Sequence, residues 1–199
     1  MKKKQPGAPI IPGRDLRRKK WNFTGFPLRP IVDPIMLGFE KENLNIQAVV
    51  FDFDGTLARL EIDFGLMQTR VLGLAERFGW RSSGFEGGYV LETMAAVKSD
   101  LTVSDPEAAD EFYAGAQNIV ESMEIEAAGR GGLFPDTRPV LGAFGQAGFK
   151  LALITRNFGA AVEQVFPDLA DFFPVFLPRD SVARVKPDPL HLQTALQGL

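Results

Sequence analysis

Two aspartates separated by one residue are the strongest candidates for chemistry in this sequence. Asp52 and Asp54 flank Phe53 and follow the apolar run at residues 46–51. Carboxylates at positions i and i+2 at the end of a strand project to the same side, and a cation or a shared proton must relieve their repulsion. The pair therefore favours a hard-metal site with oxygen ligands. Because Asp-x-Asp-Gly also occurs in ordinary surface turns, the pair alone leaves that alternative open.

The residues around this pair predict the elements that position it. The β-branched and aromatic run before Asp52 predicts a buried strand at 46–53, and Gly55 permits a tight turn after it. Beyond residue 132, helical and strand patterns alternate, with helices predicted near 136–147, 159–166 and from 189, and strands at 149–154 and 172–177. This alternation is typical of a parallel α/β sheet, whose ligand crevices lie at the carboxyl ends of the strands.

Residues 62–132 show helical periodicity instead. Apolar residues recur at spacings of three and four in the stretches 64–78, 89–98 and 104–123. Each such stripe predicts a helix with one buried face. The glycines between 129 and 132 predict a hinge. We therefore expect a helical cap, residues 62–132, inserted into a discontinuous α/β core of residues 46–61 and 133–199.

Three segments resemble, in order, the motifs of the haloacid dehalogenase superfamily. They are Phe51-Asp52-Phe53-Asp54-Gly55-Thr56-Leu57, Leu151-Ala152-Leu153-Ile154-Thr155 and Val185-Lys186-Pro187-Asp188-Pro189. The chain is identified as similar to the phosphoglycolate-phosphatase-like branch of that superfamily, which carries a helical cap. The resemblance implies a modified Rossmann core with a parallel sheet and an inserted helical cap.

The resemblance also implies roles for individual residues. Asp52 would be the nucleophile that forms an aspartyl-phosphate, and Asp54 the acid and base for the leaving oxygen and the water. Mg²⁺ would be held by the Asp52 side chain and the Asp54 main-chain carbonyl. Thr155, Arg156 and Lys186 would bind the substrate phosphate.

Other polar residues near these motifs receive different interpretations. Arg156 and Asn157 follow the second motif, where a loop-capping role is as good an interpretation as substrate contact. His191 is predicted to be either a hydrogen-bonded or an exposed histidine and not a catalytic base. Asp188 is predicted to start the last helix. Arg59 and Asp63 are predicted to line the entrance under the cap.

The function implied is Mg²⁺-dependent hydrolysis of a small phosphate monoester. A sugar-phosphate mutase of the same superfamily is the enzymatic alternative, and a catalytically inactive binding module is the other. The last alternative arises because the family supplies a further strand with an acidic Gly-Asp motif after the lysine, and no such motif occurs between Lys186 and Leu199. We expect C-terminal core strands to be missing and the 199-residue chain to show little phosphatase activity.

Composition limits the remaining possibilities. Residues 1–45 hold ten Lys or Arg against four Asp or Glu and are rich in proline, which predicts an irregular basic tail. Such a tail leaves nucleic-acid contact open, but a small phosphorylated metabolite is the expected partner. The chain has no cysteine, which excludes thiolate sites, and no apolar run long enough to span a membrane. We expect a cytoplasmic protein, and the sequence does not indicate an oligomeric state.

Overall fold

The computed structural model describes residues 46–81 and 88–199. The predicted basic tail, residues 1–45, lies outside the described residues. The elements follow in the order β1 (Ala48–Phe51), β2 (Ala58–Arg59), α1 (Phe64–Arg77), α2 (Val90–Ser104), α3 (Pro106–Ala128), β3 (Gly132–Leu133), α4 (Thr137–Gln146), β4 (Lys150–Ile154), α5 (Gly159–Val165), β5 (Val175–Leu177) and α6 (Pro189–Gly198). Short 3-10 helices lie at Leu169–Asp171 and Arg179–Ser181.

A parallel sheet with strand order β1-β4-β5 forms the centre of the core. Leu151 and Leu153 of β4 point into one apolar cluster together with α4 and α5. Ala152 and Ile154 point to the opposite face, where they contact α6. This alternation with period two buries both faces of β4, as parallel strands require. The α/β class that the sequence predicts is therefore confirmed, and within the described residues β1 lies at an edge of the sheet.

The predicted strand at 172–177 is partly wrong. β5 covers only Val175–Leu177, because the chain first passes through the 3-10 helix at Leu169–Asp171. Phe173 is buried and packs edge-on against Phe166, with ring centroids 6.3 Å apart. The aromatic run that suggested a longer strand thus serves core packing and lies outside the strand pairing.

Helices α1, α2 and α3 pack on one another around a second apolar cluster, separate from the cluster under the sheet. Its fully buried members include Met67, Val71, Met94, Val97, Phe112, Ala116 and Val120. Ile62 contacts both clusters. Two clusters support the division into a core and a cap, which stays a prediction. In the part of the chain that the structure describes, no helix is both long and apolar enough to cross a membrane.

The segment predicted as a glycine hinge is a site of strand pairing. The two-residue strands β2 and β3 pair antiparallel, so the chain leaves the core and returns to it through adjacent segments. Gly131 lies against β2, and a Cβ atom built on it would be 2.8 Å from the Arg59 carbonyl oxygen and 2.6 Å from a Leu60 methyl carbon. The glycine therefore permits close backbone packing at the junction with the cap.

We predict that Gly131→Ala lowers the free energy of unfolding by about 1–3 kcal/mol, because the added methyl group overlaps main-chain atoms that cannot move aside. Gly73→Ala, at an exposed position of helix α1 with no heavy atom within 4 Å of the new carbon, is the matched control. It is expected to stabilise the protein by about 0.5–1 kcal/mol. Urea unfolding of both variants measures the difference, and equal effects would contradict the packing assignment.

Candidate active site

The turn after β1 places the two aspartates on either side of a buried phenylalanine. Phe53 is fully buried, and its carbonyl oxygen accepts hydrogen bonds from the N–H groups of residues 56, 57 and 58. Gly55 has φ +77°, a left-handed conformation that favours glycine. Asp52 Oδ1 accepts the Phe53 N–H at 2.8 Å, and Asp54 Oδ1 accepts the Leu60 N–H at 3.1 Å. The turn thus holds both carboxylates by main-chain hydrogen bonds.

Lys186 supplies positive charge to this pair. Its Nζ atom lies 2.6 Å from Asp52 Oδ1, and neither side chain is fully buried. The residue precedes α6, so the contact joins the loop after β1 to the loop before the last helix. The structure therefore brings the first and third sequence motifs together.

His191 holds the backbone of Lys186 in place. The imidazole is fully buried: its Nδ1 lies 3.1 Å from the Lys186 N–H, and its Nε2 lies 2.9 Å from the Leu177 carbonyl oxygen. Since a carbonyl can only accept, Nε2 must carry the proton and Nδ1 must be the acceptor. Burial lowers the pKa of His191, and the charge of Lys186 lowers it further. Of the two predicted alternatives, a hydrogen-bonded or an exposed histidine, the structure has the first.

Asp54 is less exposed to solvent than Asp52. Burial raises its pKa above the ordinary aspartate value, and the negative charge of Asp52 raises it further, while the N–H groups of Leu60 and Gly55 oppose the shift. A carboxyl with a raised pKa holds a proton more readily, as a general acid must.

A cavity of about 430 Å³ lies between the core loops and the cap helices. The core contributes polar side chains and the cap contributes mainly apolar ones. The lining residues are Asp52, Asp54, Thr155, Arg156, Asn157 and Lys186 from the core, and Phe64, Met67, Gln68, Gly88, Tyr89, Val90, Leu91, Val120 and Glu124 from the cap. All five residues predicted to act on phosphate therefore line one cavity.

The side chains of the loop after β4 differ in their burial and in their contacts. Thr155 is buried, and its Oγ1 accepts the Asn157 N–H at 3.1 Å. Arg156 turns toward the cap, where it forms a 2.7 Å ion pair with Glu92 and lies 5.4 Å from the centre of the Tyr89 ring. Arg156 thus borders the cavity with its charge already paired.

A buried ion pair that the sequence did not reveal joins the cap to Arg179, in the 3-10 helix after β5. Glu124 of α3 contacts Arg179 at 2.7 Å and also accepts the Phe158 N–H at 2.9 Å. Burial raises the pKa of Glu124, while Arg179 opposes the shift. The sequence carried one sign of a buried charge: Glu124 follows Val120 by four residues and so falls on the apolar face of α3.

Asp188 is the N-cap of α6 and accepts the Leu190 N–H at 2.9 Å, which confirms its predicted position. Arg59 and Asp63 are not among the residues that line the cavity, and their predicted place at its entrance stays a prediction. Asp63 caps α1 by accepting the Leu66 N–H at 2.8 Å, and Arg59 borders a separate surface cavity beside Arg130.

The acidic residues suit part of a divalent-metal site. Asp52 and Asp54 offer carboxylate oxygens, the ligand type that Mg²⁺ prefers. Across residues 46–81 and 88–199, no cluster of three or more potential ligands among His, Cys, Asp and Glu side chains occurs.

Comparison with known proteins connects this arrangement to a family. A family model described as haloacid dehalogenase-like hydrolase matches residues 46–199. A phosphoglycolate phosphatase of Vibrio vulnificus (strain YJ016) is 29% identical over 159 residues, covering 76% of this chain and 69% of that protein. Protein CbbY of Rhodobacter capsulatus is 31% identical over 169 residues, covering 78% of this chain and 73% of that protein.

Solved structures include similar chains. The crystal structure of CbbY from Rhodobacter sphaeroides in complex with phosphate aligns with a TM-score of 0.45 and 20% sequence identity. The alignment covers 77% of this chain and 72% of that chain.

We predict that acidification destabilises the protein through His191. Because its pKa in the folded protein lies below the unfolded value of 6.5, the unfolded chain binds the proton more readily. The contribution to stability is therefore complete above that value and is lost as the pH falls below it, by at most about 1.4 kcal/mol per pH unit. The charged groups that act on the imidazole are Lys186 and Asp52.

Thermal unfolding between pH 7.5 and 5.5 provides the measurement. His191→Gln, which keeps an acceptor and a donor but does not titrate in this range, should lose less stability on acidification than the wild type. The comparison cancels the opposite contributions of Asp54 and Glu124, whose pKa values are raised. Parallel curves for the two proteins would contradict the assignment of a neutral buried imidazole.

Proposed function

Since the chain belongs to the haloacid dehalogenase-like hydrolase family, we propose that it hydrolyses small phosphate monoesters through an aspartyl-phosphate on Asp52, with Mg²⁺ as cofactor. One observation carries the proposal: Asp52, Asp54, Thr155 and Lys186 come from three separate segments and line one cavity. The similarity to phosphoglycolate phosphatases supports phosphate esters as substrates.

The contacts of Asp52 indicate which of its oxygens reacts. Oδ1 is engaged by the Phe53 N–H and by Lys186. We therefore assign attack on phosphorus to Oδ2. A bond forms between Oδ2 and phosphorus while the bond from phosphorus to the ester oxygen breaks, and the phosphoryl group passes to the carboxylate.

Asp54 handles the protons of both steps. Its carboxyl, with a pKa raised by burial, donates a proton to the departing ester oxygen. In the second step the resulting carboxylate accepts a proton from the water that attacks phosphorus. The bond between Asp52 Oδ2 and phosphorus breaks as the water attacks, so the Asp52 carboxylate is regenerated and inorganic phosphate leaves. Asp54 is then protonated again.

Lys186 and Thr155 stabilise the transferred group. The lysine ammonium, now paired with Asp52, offers its remaining donors to phosphate oxygens, and the Thr155 hydroxyl offers one more. Asp52 and the main-chain carbonyl of Asp54 would hold Mg²⁺, which when bound reduces the repulsion between an anionic carboxylate and an anionic phosphate.

The cap helices select the leaving group. A cavity of about 430 Å³ has the size of a small-metabolite site. Residues 62–132 contribute its apolar wall, including Met67 and Val120, and the carboxylate of Glu124, whereas the core residues 46–61 and 133–199 contribute the other charged groups. Phosphate recognition thus falls to the core and recognition of the organic part to the cap.

The decisive experiment measures phosphate release from p-nitrophenyl phosphate and small metabolite phosphates by protein made from the complete reading frame. We expect turnover with Mg²⁺ and its loss with EDTA. Asp52→Asn should reduce kcat by at least about 10⁴-fold, since an amide cannot form the acyl phosphate. Asp100→Asn, on the solvent-facing side of α2 and hydrogen-bonded to Trp80, is the matched control and should leave kcat within about threefold of the wild type, since surface changes are usually mild.

Two results would contradict the proposal. Undiminished activity of Asp52→Asn would remove the nucleophile assignment. Transfer of the phosphoryl group to a second sugar hydroxyl, seen as a sugar bisphosphate, would instead identify a mutase.

Gln68 tests the role of the cap. Its Nε2 donates to Thr93 Oγ1 at 2.8 Å, and Thr93 uses its single hydroxyl hydrogen on the Tyr89 carbonyl. Gln68 Oε1 is buried without a hydrogen-bond partner among the described residues. We predict that Gln68→Met lowers kcat/KM by about tenfold for phosphate esters whose alcohol carries a further hydroxyl group. The loss is the equivalent of one hydrogen bond, from that hydroxyl to Gln68 Oε1.

The same variant should leave p-nitrophenyl phosphate turnover nearly unchanged, because that leaving group has no hydroxyl to donate. Gln117→Met, exposed on α3 and outside the cavity lining, is the control. An equal loss on both ester classes would show that Gln68 affects the cap as a whole and not the leaving group.

A further inference from the structure

The loop Thr155–Gly159 that follows β4 has its main-chain groups held at successive positions. The Thr155 N–H donates to Leu177 O, and the Gly159 N–H donates to Asp180 Oδ1 at 2.8 Å. Between them, the carbonyl oxygens of residues 156 and 157 accept from Arg179, through its guanidinium at 2.6 Å and its N–H at 3.1 Å respectively. This support makes the loop a defined structure in which Thr155 has a fixed orientation.

Glu124 completes the support from the cap side. It lies on α3, and only 4% of its surface is exposed. Oε1 accepts from Arg179 Nη1 at 2.7 Å, and Oε2 accepts from Arg179 Nη2 at 3.0 Å and from the Phe158 N–H at 2.9 Å. One cap carboxylate therefore fixes both a main-chain group of the loop and the arginine that holds two others.

Stability alone is a poor explanation for such a pair. Removing two charges from water costs about as much as their attraction returns, so buried ion pairs are often neutral for stability compared with apolar packing. Their clearest advantage is geometric, since a bidentate Arg–carboxylate pair permits one relative orientation. Here that orientation joins α3 to Arg179, whose guanidinium and N–H in turn hold the loop that carries Thr155.

We propose that Glu124 is a positioning residue for phosphate binding, which acts through Arg179 and the Phe158 N–H to hold the Thr155–Gly159 loop in its binding shape. The inference rests on the proposed phosphatase function, because phosphate is the group that Thr155 and Lys186 receive. It gives the cap a second role beside substrate selection: α3 forms part of the support of the phosphate site.

The experiment compares Glu124→Ala and Glu124→Gln with the wild type, in protein made from the complete reading frame. Inorganic phosphate with Mg²⁺ is the probe, and calorimetry measures its affinity well below the unfolding temperature of each variant. We expect Glu124→Ala to weaken phosphate binding and to lower kcat/KM by up to about 100-fold, because a displaced loop misaligns the binding groups. Glu124→Gln should recover part of the loss, since its amide oxygen still accepts the Phe158 N–H.

Asp168→Ala is the matched control. Asp168 also receives a bidentate contact from an arginine, Arg138, at 2.9 and 2.6 Å, but outside the cavity lining. Its loss should affect stability without changing phosphate affinity by more than about threefold, as expected for a change far from the site. Amide hydrogen exchange at Phe158 should accelerate in Glu124→Ala and remain at the wild-type rate in Asp168→Ala.

The outcomes separate the two proposals. Wild-type turnover with unchanged phosphate affinity and unchanged Phe158 exchange in Glu124→Ala would overturn the role of Glu124 alone. Equal losses in Glu124→Ala and Asp168→Ala would assign the effect to general destabilisation and would also overturn it. A wild-type protein that neither binds phosphate nor turns over an ester would overturn the proposed function, and the phosphate role of Glu124 with it.

Discussion

Repulsion between two neighbouring carboxylates is the constraint on which the site depends. Asp52 and Asp54 can share a half-buried cavity only if positive charge or a proton compensates them. Lys186 supplies charge to Asp52 at 2.6 Å, and the pKa of Asp54 is raised, first by burial and further by the charge of Asp52. The lysine can do this because the parallel sheet delivers the loops after β1 and β5 to the same edge. The buried His191 then fixes the lysine backbone.

Two ion pairs connect the cap to the core, one through Arg156 in the loop after β4 and one through Arg179 after β5, and their burial differs. The Arg156–Glu92 pair is partly exposed, so its contribution is of the order of about 1 kcal/mol or less. The Glu124–Arg179 pair is largely buried, and removing one partner of such a pair costs about 3–5 kcal/mol because an unpaired charge remains. The α2 contact can therefore break at small cost, while the α3 contact is persistent.

Local patterns account for the parts of the fold that were predicted correctly. The apolar run before Asp52, the alternation beyond residue 132 and the helical stripes of the cap each depend on neighbouring residues, and the structure has strands and helices at these places. The β2–β3 pair was not predicted, because a strand of two residues is too short to show an alternating pattern in the sequence. The partner of Arg156 was also not predicted, since Glu92 looks like an ordinary surface residue of a helix.

By itself the sequence determined the candidate site residues and their order: a carboxylate pair at the end of a strand, a hydroxyl residue after the next core strand and a lysine before the last helix. These features depend on residue type and on spacing along the chain, so they can be recognised without knowledge of the tertiary structure. Only the tertiary structure decided how the groups are compensated and held. The contacts of Lys186 with Asp52, of His191 with Leu177 and of Glu124 with Arg179 join distant segments, and packing of the cap and sheet selects each partner from many residues of suitable charge.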